Sequence, residues 1–325
     1  MLSSAAECRG HFISAKDWRH GVALRRELLR KRIAISVFLL ALAPSVYLAF
    51  TLRRMPHLGY YHDDGIYWTC AKSLAQGSGY RIASLPGEPY QTKYPPLYAA
   101  LLAGIWKLNP DFPSNLPEAT LLAWLLLPVY LGTVWLFLRQ FGFRGARGLV
   151  LMLAATLNPV AVVFSFSLMP ELLFTALLLA SLLIAERALE PASSRWLALL
   201  AGVCGALAYL TKSAAAPLLL IVPACFLWRR QFRAAALFLA AMLPAPLAWQ
   251  WWVSHHLSRS WDLVTLYYTN YLGFQIYNVP LRDLPLVIWH NLDAFLMGTR
   301  TGTLAVGFGA MPSGLSSPAG KGPSR

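Results

Sequence analysis

Long apolar runs separated by short polar connectors make up most of this chain. The first, from Ile33 to Leu52, is about 20 residues long, enough to cross the roughly 30 Å hydrocarbon core of a bilayer as a helix. Further runs of spanning or near-spanning length lie at residues 119–138, 148–166, 171–186, 196–210, 214–228 and 234–252. The pattern therefore predicts an all-α integral membrane protein, a polytopic helical bundle with about seven transmembrane helices.

The composition agrees with this prediction. Hydrophobic residues make up 57% of the 325 residues and charged residues only 13%, whereas soluble domains contain about 45–50% apolar and about 25% charged residues. The formal net charge is +14, but lysine and arginine fall in short clusters between the apolar runs, a pattern typical of membrane topology. We therefore expect membrane lipids, and no nucleic acid, as partners.

Lysine and arginine in short loops mark the cytoplasmic side of a membrane protein. Basic clusters precede the first run and follow the second, fourth and sixth: Arg25, Arg26, Arg30, Lys31, Arg32, Arg139, Arg144, Arg147, Arg187, Arg195, Arg229, Arg230 and Arg233. No small-residue cleavage site follows the first run, so we expect an uncleaved signal anchor with a cytoplasmic N-terminus. The outward-facing pieces are then residues 53–118, 167–171, 211–213 and the segment beyond Val253.

One apolar run departs from this scheme. Residues 94–108, YPPLYAALLAGIWKL, form a run of only about 15 residues, below the usual range of roughly 17 to 25 for a span. Counting the run as a span would also reverse the sidedness of the later basic clusters. We expect instead a helix begun by two prolines at the outer interface, with Tyr94, Tyr98 and Trp106 at headgroup depth.

The same patterns divide the chain into four parts. Residues 1–32 form a basic cytoplasmic arm, and residues 33–252 form the transmembrane domain, which includes the extracytoplasmic loop 53–118. Residues 253–300, rich in tyrosine and tryptophan and interrupted by charges, are expected to be an extracytoplasmic loop with interfacial helices. Residues 301–325, rich in Gly, Ser and Pro, are expected to be a disordered tail.

Two adjacent aspartates, Asp63 and Asp64, stand early in the predicted outer loop. They open a helix-period pattern that Gly77 ends, so one of them is explained as a cap or as a partner of the helix dipole. The second has no such explanation, and the charged residues on the outward pieces include four further candidates, Arg81, Lys93, Glu171 and Lys212. The four cysteines show neither CxxC nor metal-type spacing, so we predict neither a disulfide framework nor a metal site.

Several stretches on these pieces resemble one group of enzymes. DDGIYWTCAKSLAQGSGY at 63–80, followed by LPGEPYQTKYPPLYAALLAGIWKL at 85–108, resembles the first extracytoplasmic loop of membrane glycosyltransferases with the GT-C fold. FSLMPELLFTALLLASLLIAERAL at 166–189 and GALAYLTKSAAAPLLL at 205–220 are similar to later regions of that superfamily. The resemblance is closest to family 39, the protein mannosyltransferases, and to the related bacterial aminoarabinose transferases, and it runs from about residue 33 to residue 300.

The resemblance implies a substrate class and a catalytic residue. In such enzymes an acidic residue near the start of the first outer loop is the catalytic base, which here is Asp63, with Asp64 as the alternative. The donor is a sugar on a polyprenyl phosphate, transferred with inversion to an extracytoplasmic acceptor that is a protein, a lipid or a glycan. The lipid-linked donor and this acceptor are then the expected partners, and the bacterial plasma membrane is the expected location.

The chemistry of such a transfer agrees with the other charged residues. A carboxylate within hydrogen-bond reach can take the proton of an attacking hydroxyl, and fixed cations should surround a phosphate leaving group as it gains negative charge. Lys93, Lys212 and Arg81 are the outward-facing candidates for the phosphate, and Glu171 is a second acidic candidate. A monophosphate leaving group does not strictly need a metal, so a divalent metal is possible but not indicated, and no other cofactor is predicted.

Two of the site residues have ordinary alternative roles. Lys212 at the end of a span could snorkel to the headgroups, and Glu171 could be only a helix-dipole partner.

Two alternative functions also remain open from the sequence. A transporter or flippase would place ionisable residues deep within spans and between repeated halves, features that this sequence lacks. An inactive or truncated relative is the second alternative, since relatives of this fold usually carry more spans than this chain.

Overall fold

The computed structural model describes residues 15–190, 194–258, 260 and 262–300. Residues 1–14 of the predicted basic arm and the predicted tail 301–325 lie outside these described residues. The described chain is helical, and its only β-type pairing is an isolated antiparallel bridge between Arg81 and Tyr90. The chain divides into two compact units, which meet in sequence between Leu257 and Ser258.

The first unit contains eleven α-helices among its described residues. They are α1 (Ala15–Thr51), α2 (Asp63–Ala75), α3 (Leu97–Leu108), α4 (Leu116–Gln140), α5 (Gly145–Thr156), α6 (Pro159–Phe164), α7 (Glu171–Ala188), α8 (Arg195–Thr211), α9 (Leu218–Trp228), α10 (Phe232–Met242) and α11 (Pro244–His256). A short 3-10 turn, Ser213–Ala215, precedes α9.

Helix α8 lies at the centre of this unit, packed between α7 and α10. Small residues on α8 permit the close approach: a Cβ atom added at Gly202 would lie 2.5 Å from the Phe238 carbonyl oxygen of α10. On the other side, the Ser181 hydroxyl of α7 donates a 2.8 Å hydrogen bond to the Ala201 carbonyl. Helices in membranes associate through such small residues and polar contacts, because burial from lipid gives no hydrophobic gain.

Three segments of the described chain are long and apolar enough to cross a membrane: Arg32–Thr51, Leu116–Gln140 and Phe232–His256. They coincide with the predicted spans at 33–52, 119–138 and 234–252. The other four predicted spans fall on helices that are shorter, interrupted or more charged, namely α5 with α6, α7, α8, and α9 with its 3-10 turn. The all-α membrane fold agrees with the structure, while the count of about seven spans stays a prediction.

The predicted outer loop 53–118 folds around a pair of packed helices, α2 and α3. The Trp68 and Trp106 rings lie 4.8 Å apart, and the Trp106 indole donates a 3.2 Å hydrogen bond to the Trp68 carbonyl. Tyr98 is 1% exposed. Helix α3 therefore turns Tyr98 and Trp106 onto α2, so both side chains are buried within the protein. The predicted position of these residues at headgroup depth stays a prediction.

The arginine-bearing connectors meet at one end of the first unit. A cavity of about 880 Å³ is lined by residues that end or follow α4, end α7 and follow α9, including Arg139, Arg144, Arg187 and Arg229. We call it the arginine cavity. Helix α7 runs from Glu171 to this end, and 18 residues at 1.5 Å each separate its two ends by about 27 Å.

The second unit contains α12 (Leu263–Thr269), α13 (Tyr271–Asn278) and α14 (Leu284–Arg300), with a 3-10 turn at Leu281–Asp283. Asp262 and Asn270 cap α12 and α13 by accepting backbone hydrogen bonds from Thr265 and Gly273. The ring of Tyr267 contacts three other aromatic rings edge-on, those of Tyr268, Tyr271 and Phe274.

Candidate functional site

Asp63 begins α2 from a strained turn. His62 has φ 58° and ψ −50°, and the Asp63 amide donates a 2.6 Å hydrogen bond to the Tyr61 carbonyl across it. This is the rare form of γ-turn, which non-glycine residues seldom adopt. The turn points the partly exposed Asp63 carboxylate at the Tyr94 hydroxyl, which donates a short hydrogen bond to it.

Asp64 has a different environment. It is 1% exposed, and its two oxygens accept hydrogen bonds from the backbone amides of Gly59, at 3.0 Å, and Gly65, at 2.8 Å. Burial raises the pKa of the Asp64 carboxyl above its ordinary value, although the two amides and the nearby His57 act in the opposite direction. Asp64 therefore ties the strained turn to the start of α2 and is much less accessible than Asp63.

Lys93 lies beside this acidic group. Its ammonium is 4.8 Å from the centroid of the Tyr94 ring. Burial lowers the pKa of Lys93 to about 8, and the negative charge of Asp63 acts against that shift. Buried Gln91 fixes the backbone at residues 93 and 94. Its side-chain oxygen accepts hydrogen bonds from the amides of Lys93, at 2.7 Å, and Tyr94, at 3.2 Å.

Glu171 and Lys212 form an ion pair with a 2.7 Å distance between Nζ and Oε1. Glu171 begins α7, and Lys212 follows the last residue of α8, so the packing of these two helices brings the charges together. The Lys212 side chain is 43% exposed and that of Glu171 is 22% exposed. The second oxygen of Glu171, Oε2, is buried and has no hydrogen-bond partner in the described structure.

Two buried tyrosines connect the ion pair to the aspartates. Burial raises the pKa of Tyr67 well above its ordinary value, and the negative charges of Glu171 and Asp63 raise it further. Burial likewise raises the pKa of Tyr98, with added effects of Glu171 and Asp64. The Tyr67 ring centroid lies 5.0 Å from that of Tyr94, the partner of Asp63, and 5.3 Å from that of Tyr98. The effect of the Glu171 charge on the pKa of both buried tyrosines indicates that Glu171 lies near this aromatic cluster. The Tyr98 hydroxyl is buried there without a hydrogen-bond partner in the described structure.

Arg81 is engaged elsewhere in the loop. Its guanidinium donates hydrogen bonds to the carbonyls of Ser78 and Glu88 and, at 2.6 Å, to the Tyr90 hydroxyl, and it stacks 3.9 Å from the Tyr90 ring centroid. The Tyr90 ring in turn packs against Trp252 of α11. These contacts stabilise the loop on α11 and do not bring Arg81 to the acidic group, so its role at a phosphate stays a prediction.

The two histidines near the aspartates differ in position. His57 is half-buried, and its Nε2 lies 3.1 Å from the Phe166 carbonyl, which connects the loop to the segment before α7. His62 is exposed at the γ-turn. Among the residues that the structure describes, no group of three or more His, Cys, Asp or Glu side chains could hold a metal ion.

Sequence reasoning selected the charged residues of the site and missed the tyrosines and Gln91 that position them. Tyr94 stands in the quoted KYPP stretch, but tyrosine near an interface is ordinary, and only the fold shows that its hydroxyl contacts Asp63. Gln91 had no distinguishing signal, because a glutamine in a loop is normally exposed.

Residues 93–253 match the family model described as dolichyl-phosphate-mannose-protein mannosyltransferase. The match covers just under half of the chain and contains Lys93, Glu171 and Lys212, whereas Asp63 and Asp64 precede it. Searches of curated proteins and of solved structures gave no significant match. The family match supports a membrane glycosyltransferase related to this family.

Proposed function

We propose that this chain is a membrane glycosyltransferase that transfers a sugar from a polyprenyl phosphate to an extracytoplasmic acceptor, with inversion at the anomeric carbon. The family match supports the mannosyltransferase class and a lipid-linked donor. The observation that carries the mechanism is a chain of contacts from Asp63 through Tyr94 and Tyr67 to Tyr98, with Lys93 beside Tyr94. The Glu171–Lys212 pair is near enough for the Glu171 charge to raise the pKa of Tyr67 and Tyr98.

Asp63 is the proposed general base. It is the accessible carboxylate of the pair, and the Tyr94 hydroxyl holds one of its oxygens while the other stays available to an acceptor hydroxyl. As the acceptor oxygen attacks the anomeric carbon, its proton passes to Asp63. Attack from the face opposite the departing phosphate inverts the configuration at that carbon.

Lys93 and Lys212 are the proposed cations for the phosphate. With a pKa of about 8, Lys93 is mostly protonated at neutral pH, and a bound phosphate would favour its charged form. Lys212 is held by Glu171, which fixes the ammonium at the end of α8. A partly buried cation stabilises a developing phosphate charge more than one in open water does.

The test is transfer activity of the purified protein in liposomes, with a polyprenyl-phosphate sugar and a membrane extract as the source of acceptor. We expect Asp63→Asn to lower kcat by about 10² or more, because the amide cannot accept the proton. The matched control is Asp64→Asn, which alters the buried neighbour. Once transfer by the unmodified protein is established, full activity in both Asp63→Asn and the Asp63/Asp64 double variant would reject a carboxylate base. The proposed glycosyltransferase function would then stand without this mechanism.

A further inference from the structure

The arginine cavity lies at the opposite end of α7 from Glu171 and has no part in the proposed transfer. Four arginines from three connectors line it, together with Glu186 and Glu190, so positive side chains outnumber negative ones by two. Among the described residues, none of these arginines forms an ion pair with either glutamate. The cavity is therefore a concave site with uncompensated positive charge.

Membrane sidedness explains why each connector carries arginine, but it does not require that the three connectors converge. Arginines that only set the orientation of the protein in the membrane can each extend into water, without lining a common cavity. Here Arg139 in the last turn of α4, Arg187 of α7 and Arg229 after α9 border one volume of about 880 Å³. Convergent guanidinium groups are suited to phosphate oxygens, which they bind in a bidentate manner.

A second, apolar cleft is lined by Trp135, whose ring lies near Arg139 of the arginine cavity. It has a volume of about 370 Å³ between α1, α4 and α5, and its lining includes Phe38, Leu131, Gly132 and Trp135. The guanidinium of Arg139 lies 5.9 Å from the centroid of the Trp135 ring. Arg139 therefore borders the arginine cavity, while the nearby ring of Trp135 borders the apolar cleft.

We propose that these two spaces together bind one anionic phospholipid, with its headgroup phosphate among the arginines and an acyl chain in the cleft. A soluble phosphate would use the cavity alone and leave the apolar cleft unexplained. Basic pockets between transmembrane helices on the cytoplasmic side bind anionic headgroups by this combination of charge and apolar surface. The site lies about one helix length from the proposed catalytic residues and is independent of the sugar-transfer reaction.

The charge requirement is tested with the full-length protein in a mild detergent, by titrating dioleoylphosphatidylglycerol and measuring bound lipid by native mass spectrometry. We expect the Arg139→Gln/Arg187→Gln variant to bind this lipid roughly tenfold or more weakly. The matched control, Arg195→Gln/Arg233→Gln, removes the same charge from a neighbouring cavity lined by those two residues. The control should bind like the unmodified protein, and equal losses in both variants would overturn the proposal.

The acyl-chain requirement is tested with Gly132→Leu. A Cβ atom at Gly132 meets no atom within 4 Å, so the larger side chain can enter the cleft without disturbing α4. We expect weaker binding of dioleoylphosphatidylglycerol and unchanged binding of glycerophosphoglycerol, which has the same headgroup without chains. Unchanged lipid binding in this variant, or equal affinity of the unmodified protein for the two ligands, would show that the site takes a free phosphate and would overturn the lipid assignment. Melting temperatures confirm that each variant is folded.

Discussion

At the scale of single residues, the aspartate pair shows how two identical neighbours acquire different properties. Asp64 is buried and accepts two backbone hydrogen bonds, whereas Asp63 is partly exposed and contacts Tyr94. Both residues lie in the first turn of α2, where 3.6 residues per turn rotate consecutive side chains by about 100°, so the two carboxyls face different surroundings. Asp64 therefore has a structural role in the loop, and Asp63 is the more accessible carboxylate of the pair.

The structural role of Asp64 gives a stability prediction. We expect Asp64→Ala to destabilise the protein by about 1–3 kcal/mol, since the amides of Gly59 and Gly65 lose their acceptor in a buried position. Asp63→Ala is the control and should change the unfolding temperature less. Thermal unfolding in detergent measures both, and a larger loss in Asp63→Ala would contradict the assignment.

The same carboxyl gives a prediction for pH. Because burial raises the pKa of Asp64, the folded state binds its proton more tightly than the unfolded state does. Its contribution to stability is therefore largest at acidic pH and declines as the pH rises through the raised pKa. The difference in unfolding temperature between the unmodified protein and Asp64→Ala should shrink from acidic to neutral pH, and a growing difference would be evidence against the raised pKa.

Lys93 gives a prediction for the pH dependence of catalysis. If its ammonium binds the donor phosphate, kcat/KM falls as the pH rises through about 8, because the free enzyme loses this charge there. Lys93→Arg should move the fall to higher pH, since a guanidinium stays protonated. Lys107→Arg, on the exposed face of α3, is the control. An identical alkaline fall in Lys93→Arg would assign the titration to another group.

At the scale of helices, α8 organises the first unit. It packs against α7 and α10 through small residues, and the same packing brings Lys212 at its end to Glu171 at the start of α7. The ion pair is thus a consequence of helix packing, since 41 positions separate its members in the chain.

The close approach at Gly202 gives a packing prediction. In Gly202→Ala, the new methyl group would lie 2.5 Å from a backbone oxygen of α10 and 2.8 Å from the Ala241 side chain, so the helices must separate. We expect a loss of about 1–3 kcal/mol in stability. Gly104→Ala in α3 meets no atom within 4 Å and should be neutral or stabilising by about 0.5–1 kcal/mol. Thermal unfolding of the two variants compares them, and equal stability would refute the close packing.

At the scale of the whole molecule, the first unit has a different chemistry at each end of its helices. The arginine connectors line cavities at one end, and the aspartates with the Glu171–Lys212 pair lie at the other. This separation agrees with the sidedness predicted from the basic clusters, in which the arginine end is cytoplasmic.

Sidedness is tested with single cysteines in a background where the four native cysteines are replaced. Ser84→Cys lies exposed in the predicted outer loop, and Arg144→Cys lies exposed at the arginine cavity. We expect a membrane-impermeant maleimide to label the first in intact cells and the second only after permeabilisation. The reverse pattern would place Asp63 inside the cell and remove the basis for an extracytoplasmic reaction.

The sequence by itself determined the apolar segments, the clustering of arginine in alternate connectors, and the charged residues that the outward pieces carry. Hydropathy and periodicity are local properties, so they locate helices without any knowledge of their neighbours. Even there, the sequence left the number of spans open, because four predicted spans form shorter, interrupted or more charged helices.

Only the tertiary structure decided which aspartate is buried, that Lys212 pairs with Glu171, and that Arg81 contacts Tyr90. It also decided that Tyr98 and Trp106 of α3 are buried against α2. Burial and pairing depend on contacts between residues distant in the chain, and a one-dimensional pattern does not specify which distant residues meet. The environment of each charged group therefore follows from helix packing.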